Sequence, residues 1–94
     1  MQRITATTVE AYRVPLNAGG YDPIGRYFGR TELPLYCLYP KAQNGIFEAK
    51  GEPGLYEVRE RLGVSLDYGR AFVRAESAKE ARTRLSMVAC LATE

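Results

Sequence analysis

Between positions 19 and 30 the chain reads Gly19-Gly-Tyr-Asp-Pro-Ile-Gly-Arg-Tyr-Phe-Gly-Arg30, three aromatic rings and two guanidinium groups on a glycine-spaced backbone. Those residue types are suited to recognition. The rings of Tyr21, Tyr27 and Phe28 can stack on bases or fill pockets on a protein, and Arg26 and Arg30 can pair phosphates or carboxylates. Tyr and Arg are enriched where binding energy concentrates, and aromatic rings are the usual platforms for unpaired bases. A competing reading has Tyr21 and Phe28 folded down as a lid, with Asp22 making an Asx turn into Pro23. The glycines do not match the phosphate-loop pattern GxxxxGK[ST], and no βα nucleotide-binding unit follows them, which argues against phosphate cradling.

Other chemistry is thinly provided for. The sequence contains no histidine, which removes Ser-His-Asp and Cys-His nucleophile arrangements, His-containing zinc sites and the usual proton shuttle near neutral pH. Cys37 and Cys90 lie 53 positions apart in apolar runs, outside any metal-binding spacing, and read as buried thiols, with one disulfide between them left open. Glu48, Glu52, Glu57 and Glu60 form neither a calcium loop nor an acid/base pair. The expectation is therefore no metal, no cofactor and no catalytic residue. An enzyme working through Cys37 or paired carboxylates stays only as a remainder.

Thirteen basic against eleven acidic residues give a net charge of +2, short of the concentrated positive field of a duplex-DNA binder. The basic set is lopsided, ten Arg to three Lys, and Arg brings a planar fork for phosphate, carboxylate and stacking. Arg59, Arg61, Arg70, Arg74, Lys79, Arg82 and Arg84 interleave with Glu57, Glu60, Glu76 and Glu80; a solvated face with helical ion pairs is the plain reading. The N-terminal residues lack the apolar run of a secretory signal, and no apolar stretch nears the roughly 20 residues of a bilayer span, so a cytoplasmic setting is expected.

The elements that must carry the loop follow from periodicity. At 94 residues the chain reads as one domain, 1–94. Val9 to Leu16 alternates as a half-buried strand, with Tyr12 and Val14 on one face and Ala11 and Arg13 on the other. Residues 17–32 form a long irregular loop, and Leu33 to Tyr39, apolar on both faces, reads as a central strand. Asn44-Gly45 predicts a hairpin turn, with Ile46 to Ala49 as the returning strand. Pro53, then Leu55, Val58 and Leu62 ahead of Gly63, predict a short helix. Val64 to Leu66 and Arg70 to Glu76 flank an Asp67-Tyr68-Gly69 turn, the second as a strand. Ser77-Ala-Lys-Glu80 is a capping box, and the helix after it carries Ala78, Ala81, Leu85, Val88, Ala89 and Ala92 on one stripe. The expected fold is α+β: an antiparallel sheet of three to four strands covered by a long C-terminal helix and one short central helix.

Tyr12-Arg-Val-Pro-Leu16, Gly19-Gly-Tyr-Asp22, Gly25-Arg-Tyr-Phe-Gly29 and Leu33-Pro-Leu-Tyr36, followed later by Val73-Arg-Ala-Glu-Ser-Ala-Lys-Glu-Ala81, resemble small proteins of phages, plasmids and bacterial accessory regions. Their pattern is a strand, GGYD, a GxY-aromatic-G turn, PLY on the next strand, and a strand running into an EA-containing helix. The similarity covers about 30 positions and leaves Lys41 to Gly69 without a counterpart. Phe28 stands where Trp is common, so no role needing an indole N–H carries over. The resemblance implies a mobile-element setting, in which compact proteins of this size occlude a larger machine, as anti-CRISPR inhibitors do. The functional expectation is a non-catalytic binding protein that docks and inhibits a host protein or nucleoprotein complex through Tyr21, Arg26, Tyr27, Phe28 and Arg30. The alternative is a small module for RNA or single-stranded DNA.

Overall fold

A computed structural model describes residues 3–15, 33–67 and 69–92, with the side chains of Tyr56 and Glu60 left aside. In chain order the elements are β1 (Val9–Val14), β2 (Leu35–Pro40), β3 (Ile46–Ala49), α1 (Leu55–Leu62), β4 (Val64–Asp67), β5 (Arg70–Arg74), α2 (Ala78–Val88) and β6 (Ala89–Ala92). Two antiparallel sheets result, a four-stranded one ordered β1-β2-β5-β4 and a two-stranded ribbon of β3 and β6. Among the described residues no helix is long and apolar enough to cross a membrane.

The strand at the centre is the one whose residues are apolar on both faces. β2 pairs β1 on one side, with Val14 opposite Leu35, and β5 on the other, with Cys37 opposite Phe72. On the inner face Val9, Leu38, Val64, Ala71 and Val73 are buried beneath α2, which contributes Ala81, Leu85 and Val88. The spacing of those three, four and then three residues, places them on one helical stripe. α1 ends where Gly63 adopts φ 69°, the left-handed conformation that glycine enters without steric penalty and that commonly stops a helix.

The expectation of three to four strands under a long C-terminal helix is corrected. Among the described residues there are six strands in two sheets, and α2 spans only 11 residues. Ser77 caps its start as expected, its Oγ accepting from the Glu80 N–H at 3.1 Å. The return half of the capping box is absent, because the Glu80 carboxylate pairs with Arg84, 2.6 Å from Nη2. At the other end the chain turns extended at Ala89, φ −147° and ψ 163°. Backbone pairing supplies the reason: β3 pairs with the chain after Val88, with Phe47 opposite Leu91 and Ala49 opposite Ala89. Ala89 and Leu91, two apart, then both enter the core.

The same pairing corrects the hairpin. Asn44 does take a left-handed φ of 64°, and the Gly45 N–H donates to Ala42 O at 3.1 Å, so the turn is real. Its outgoing strand leaves β2 and finds β6. A Cβ at Gly45 would stand 2.7 Å from the Pro40 Cβ, so the turn is also held close against the end of β2.

Candidate docking surface

Tyr21, Arg26, Tyr27, Phe28 and Arg30 lie outside the described residues. The chain enters and leaves their segment at one end of the β1–β2 pair, where Val14 faces Leu35. The face of the sheet running away from that end is described, and it is built from the same residue types.

Directly opposed residues in an antiparallel pair share a face, so the outer face follows from the register. β1 contributes Glu10, Tyr12 and Val14, β2 contributes Leu35, Cys37 and Tyr39, β5 contributes Arg70, Phe72 and Arg74, and β4 contributes Ser65 and Asp67. Near the segment's root this face is closed: Leu35, Cys37 and Phe72 are buried with Val14 packed against them. Arg74 is there too, 0% exposed. A buried guanidinium needs acceptors, and its Nη1 donates to Leu33 O at 2.6 Å.

At the other end the face opens. Tyr12 is 54% and Tyr39 38% exposed, their ring centroids 6.2 Å apart in an edge arrangement that lies within the favourable range for aromatic pairs. The Tyr12 hydroxyl donates to Glu10 Oε2 at 2.6 Å. That hydrogen bond, reinforced by the carboxylate's charge, holds the phenol's pKa above its ordinary value. Arg70 crosses from β5 toward the same patch. Its guanidinium stands 4.9 Å from the Phe72 ring centroid and its Nε is 3.4 Å from Asp67 Oδ2. A hydrogen bond with Tyr39, then the one to Asp67, raise its pKa against the opposing pull of burial. The patch therefore offers two exposed rings and one oriented cation, bordered by carboxylates at Glu10 and Asp67.

The reading of the second basic set as a solvated face with helical ion pairs holds for the exposed Arg61 and Lys79 and for the Arg84–Glu80 pair, and is corrected for three arginines. Arg74 is buried. Arg84 bridges α2 to α1 by donating from Nη1 to Leu62 O at 3.1 Å, and Arg82 ties α2 to β1 through Nε to Val9 O at 3.0 Å. Periodicity alone could not see these bonds, because each joins residues 22 or more positions apart. Neither cysteine is in a disulfide; Cys37 is buried as expected, but Cys90 is half-buried, with Sγ 3.6 Å from Glu48 O. Among the described residues no group of three or more Cys, Asp or Glu comes together to hold a metal ion. Sequence reasoning missed the Tyr12–Tyr39 patch. Its signal was present in Tyr12 sharing a strand face with Val14 and in Tyr39 ending a run apolar on both sides.

Compared with known proteins, the chain matches no family model, no curated protein and no solved structure.

Proposed function

We propose that this chain is a non-catalytic binding protein that docks a host protein or nucleoprotein complex and inhibits it, and that Tyr12, Tyr39 and Arg70 form part of the docking surface. The observation that carries the reading is the exposure of two tyrosines beside an oriented arginine on a rigid sheet. Two-torsion aromatic rings and a pre-positioned guanidinium bind with little ordering cost, and such residues dominate interface energetics. Glu10 and Asp67 favour a protein of mixed surface charge, since a phosphate backbone laid over this face would meet both carboxylates. Tyr21, Arg26, Tyr27, Phe28 and Arg30 extend the same chemistry along the chain. The mobile-element setting, the anti-CRISPR-like mode of inhibition and a cytoplasmic site of action are what the sequence resemblance implies. The non-catalytic reading comes from the histidine-free composition.

One observation favours a second reading. Aromatic side chains on the open face of a four-stranded antiparallel sheet are also how single-stranded nucleic acid is stacked. Affinity for RNA or single-stranded DNA would then fall steeply with salt as counterions are released.

The test compares wild type, a Tyr12→Ala, Tyr39→Ala variant, a Tyr27→Ala, Arg30→Ala variant and an Arg61→Ala control at an exposed position of α1. Each is used to retain proteins from a bacterial lysate, and the retained protein is then purified and its binding measured directly. Loss of that binding from either tyrosine-bearing double variant, with the control unchanged, is the expected result. Equal affinity across all four overturns the docking surface, and salt-steep RNA binding lost with Tyr12 and Tyr39 transfers the face to nucleic acid.

A further inference from the structure

On the far side of the sheet, between the N-terminal turn and α2, lies a cleft of about 390 Å³ lined by Ile4, Thr5, Ala6, Lys79, Arg82, Thr83 and Ser86. That volume falls within the roughly 300–1,000 Å³ of small-molecule sites. Its polar wall is one side of α2: residues 79, 82, 83 and 86 recur at the three- and four-residue spacing that aligns side chains on a helix.

The charges are of one sign. No carboxylate is among the described lining residues, and Glu80, next to Lys79 in sequence, is committed to Arg84 on another side of the helix. Arg82 is held in place because its Nε donates to Val9 O. Among the described residues no protein acceptor pairs with its Nη groups or with Lys79 Nζ. Lys41 adds a further cation behind the turn, its Nζ donating to Ala6 O at 3.1 Å. A fork with spare donors beside a mobile ammonium suits a phosphoryl group.

The hydroxyls define the rest of the ligand. Thr83 Oγ1 donates to Lys79 O at 3.1 Å and Ser86 Oγ donates to Thr83 O at 2.7 Å. Each has spent its one proton on the helix backbone, so each offers lone pairs. The dianion of a phosphate ester has no proton to give them, whereas a sugar hydroxyl does. We propose that this cleft binds a small sugar phosphate, its phosphoryl group on Lys79 and Arg82 and its hydroxyls donating to Thr83 and Ser86. This site is independent of the docking surface, which lies on the opposite face.

The experiment titrates the whole chain with ribose 5-phosphate, inorganic phosphate and ribose, following backbone amide shifts by NMR and heats by calorimetry. Ribose 5-phosphate is expected to bind most tightly and to move the amides of Thr5, Ala6, Thr83 and Ser86. Lys79→Met, an exposed position whose folding is checked by circular dichroism, should weaken it about tenfold or more, the effect of losing one hydrogen bond to a charged group. Ser86→Ala should weaken ribose 5-phosphate and leave inorganic phosphate unaffected. Absence of binding, unchanged affinity in Lys79→Met, or inorganic phosphate binding as tightly as ribose 5-phosphate would each overturn the proposal.

Discussion

The two faces of the four-stranded sheet are made from the same strands and treated differently by the rest of the chain. The inner face is covered at its centre by α2, with Val9, Leu38, Ala71 and Val73 all excluded from solvent. The outer face is graded: closed at Leu35, Cys37, Phe72 and Arg74, open at Tyr12, Tyr39 and Arg70. Arg70 and Arg74 make the gradient plain. They stand four residues apart on one strand and one face, yet one side chain is 37% exposed and the other is fully buried. Side-chain type does not decide which arginine is structural and which is available to a partner; position along the gradient does.

The largest expected effect tests the sealed face. Leu85→Ala removes a fully buried side chain at the centre of the α2 stripe and should cost about 3 kcal/mol, within the range for leucine-sized cavities. Urea denaturation would read it as a fall in midpoint with unchanged slope. A smaller step separates the two arginines. Arg74→Ala loses a buried charged hydrogen bond to Leu33 and should cost about 2 kcal/mol, whereas Arg70→Ala should cost less than about 1 kcal/mol because its ion pair is largely solvated. Equal costs would erase the gradient. Smaller still, Tyr12→Ala and Tyr39→Ala should leave the urea midpoint close to wild type while abolishing partner binding. A large stability loss in either would make those rings part of the core.

How much of this was readable beforehand depended on whether the signal was local. The alternation of Val9 to Val14, the two-sided apolar run at β2, Ser77 as a cap and Gly63 as a stop were all legible, because each acts within a few residues of itself. The end of α2 was not. Ala89, Cys90, Leu91 and Ala92 are compatible with the helix they follow, with neither Gly nor Pro to end it, and they turn extended because Ile46 to Ala49, 40 to 46 positions earlier, requires a backbone partner. The Asn44-Gly45 turn misled for the same reason, being correct as a turn and silent about which strand it delivers. The candidate site divides in the same way. The value of tyrosine and arginine was legible; that Tyr12 and Tyr39 meet across β1 and β2 needed the register, and Arg74 being interior needed the tertiary fold.

The finest test asks what makes the open end chemically distinct. Tyr12 has its pKa raised chiefly by its hydrogen bond to Glu10, next by that carboxylate's charge, and only then by burial. A phenol whose pKa is higher in the folded state favours folding while it is neutral. That contribution is present below the ordinary tyrosine pKa of 10.0 and is lost as pH rises through the folded value. Glu10→Gln should bring the Tyr12 titration back toward 10.0, read by NMR on ring-labelled tyrosine with Tyr12→Phe to assign the signal. If desolvation governed the Tyr12 titration, the substitution would leave it where it stood. A downward shift would establish that the exposed tyrosine is held by one neighbouring carboxylate, so that a partner reaching this face must either keep that hydrogen bond or replace it.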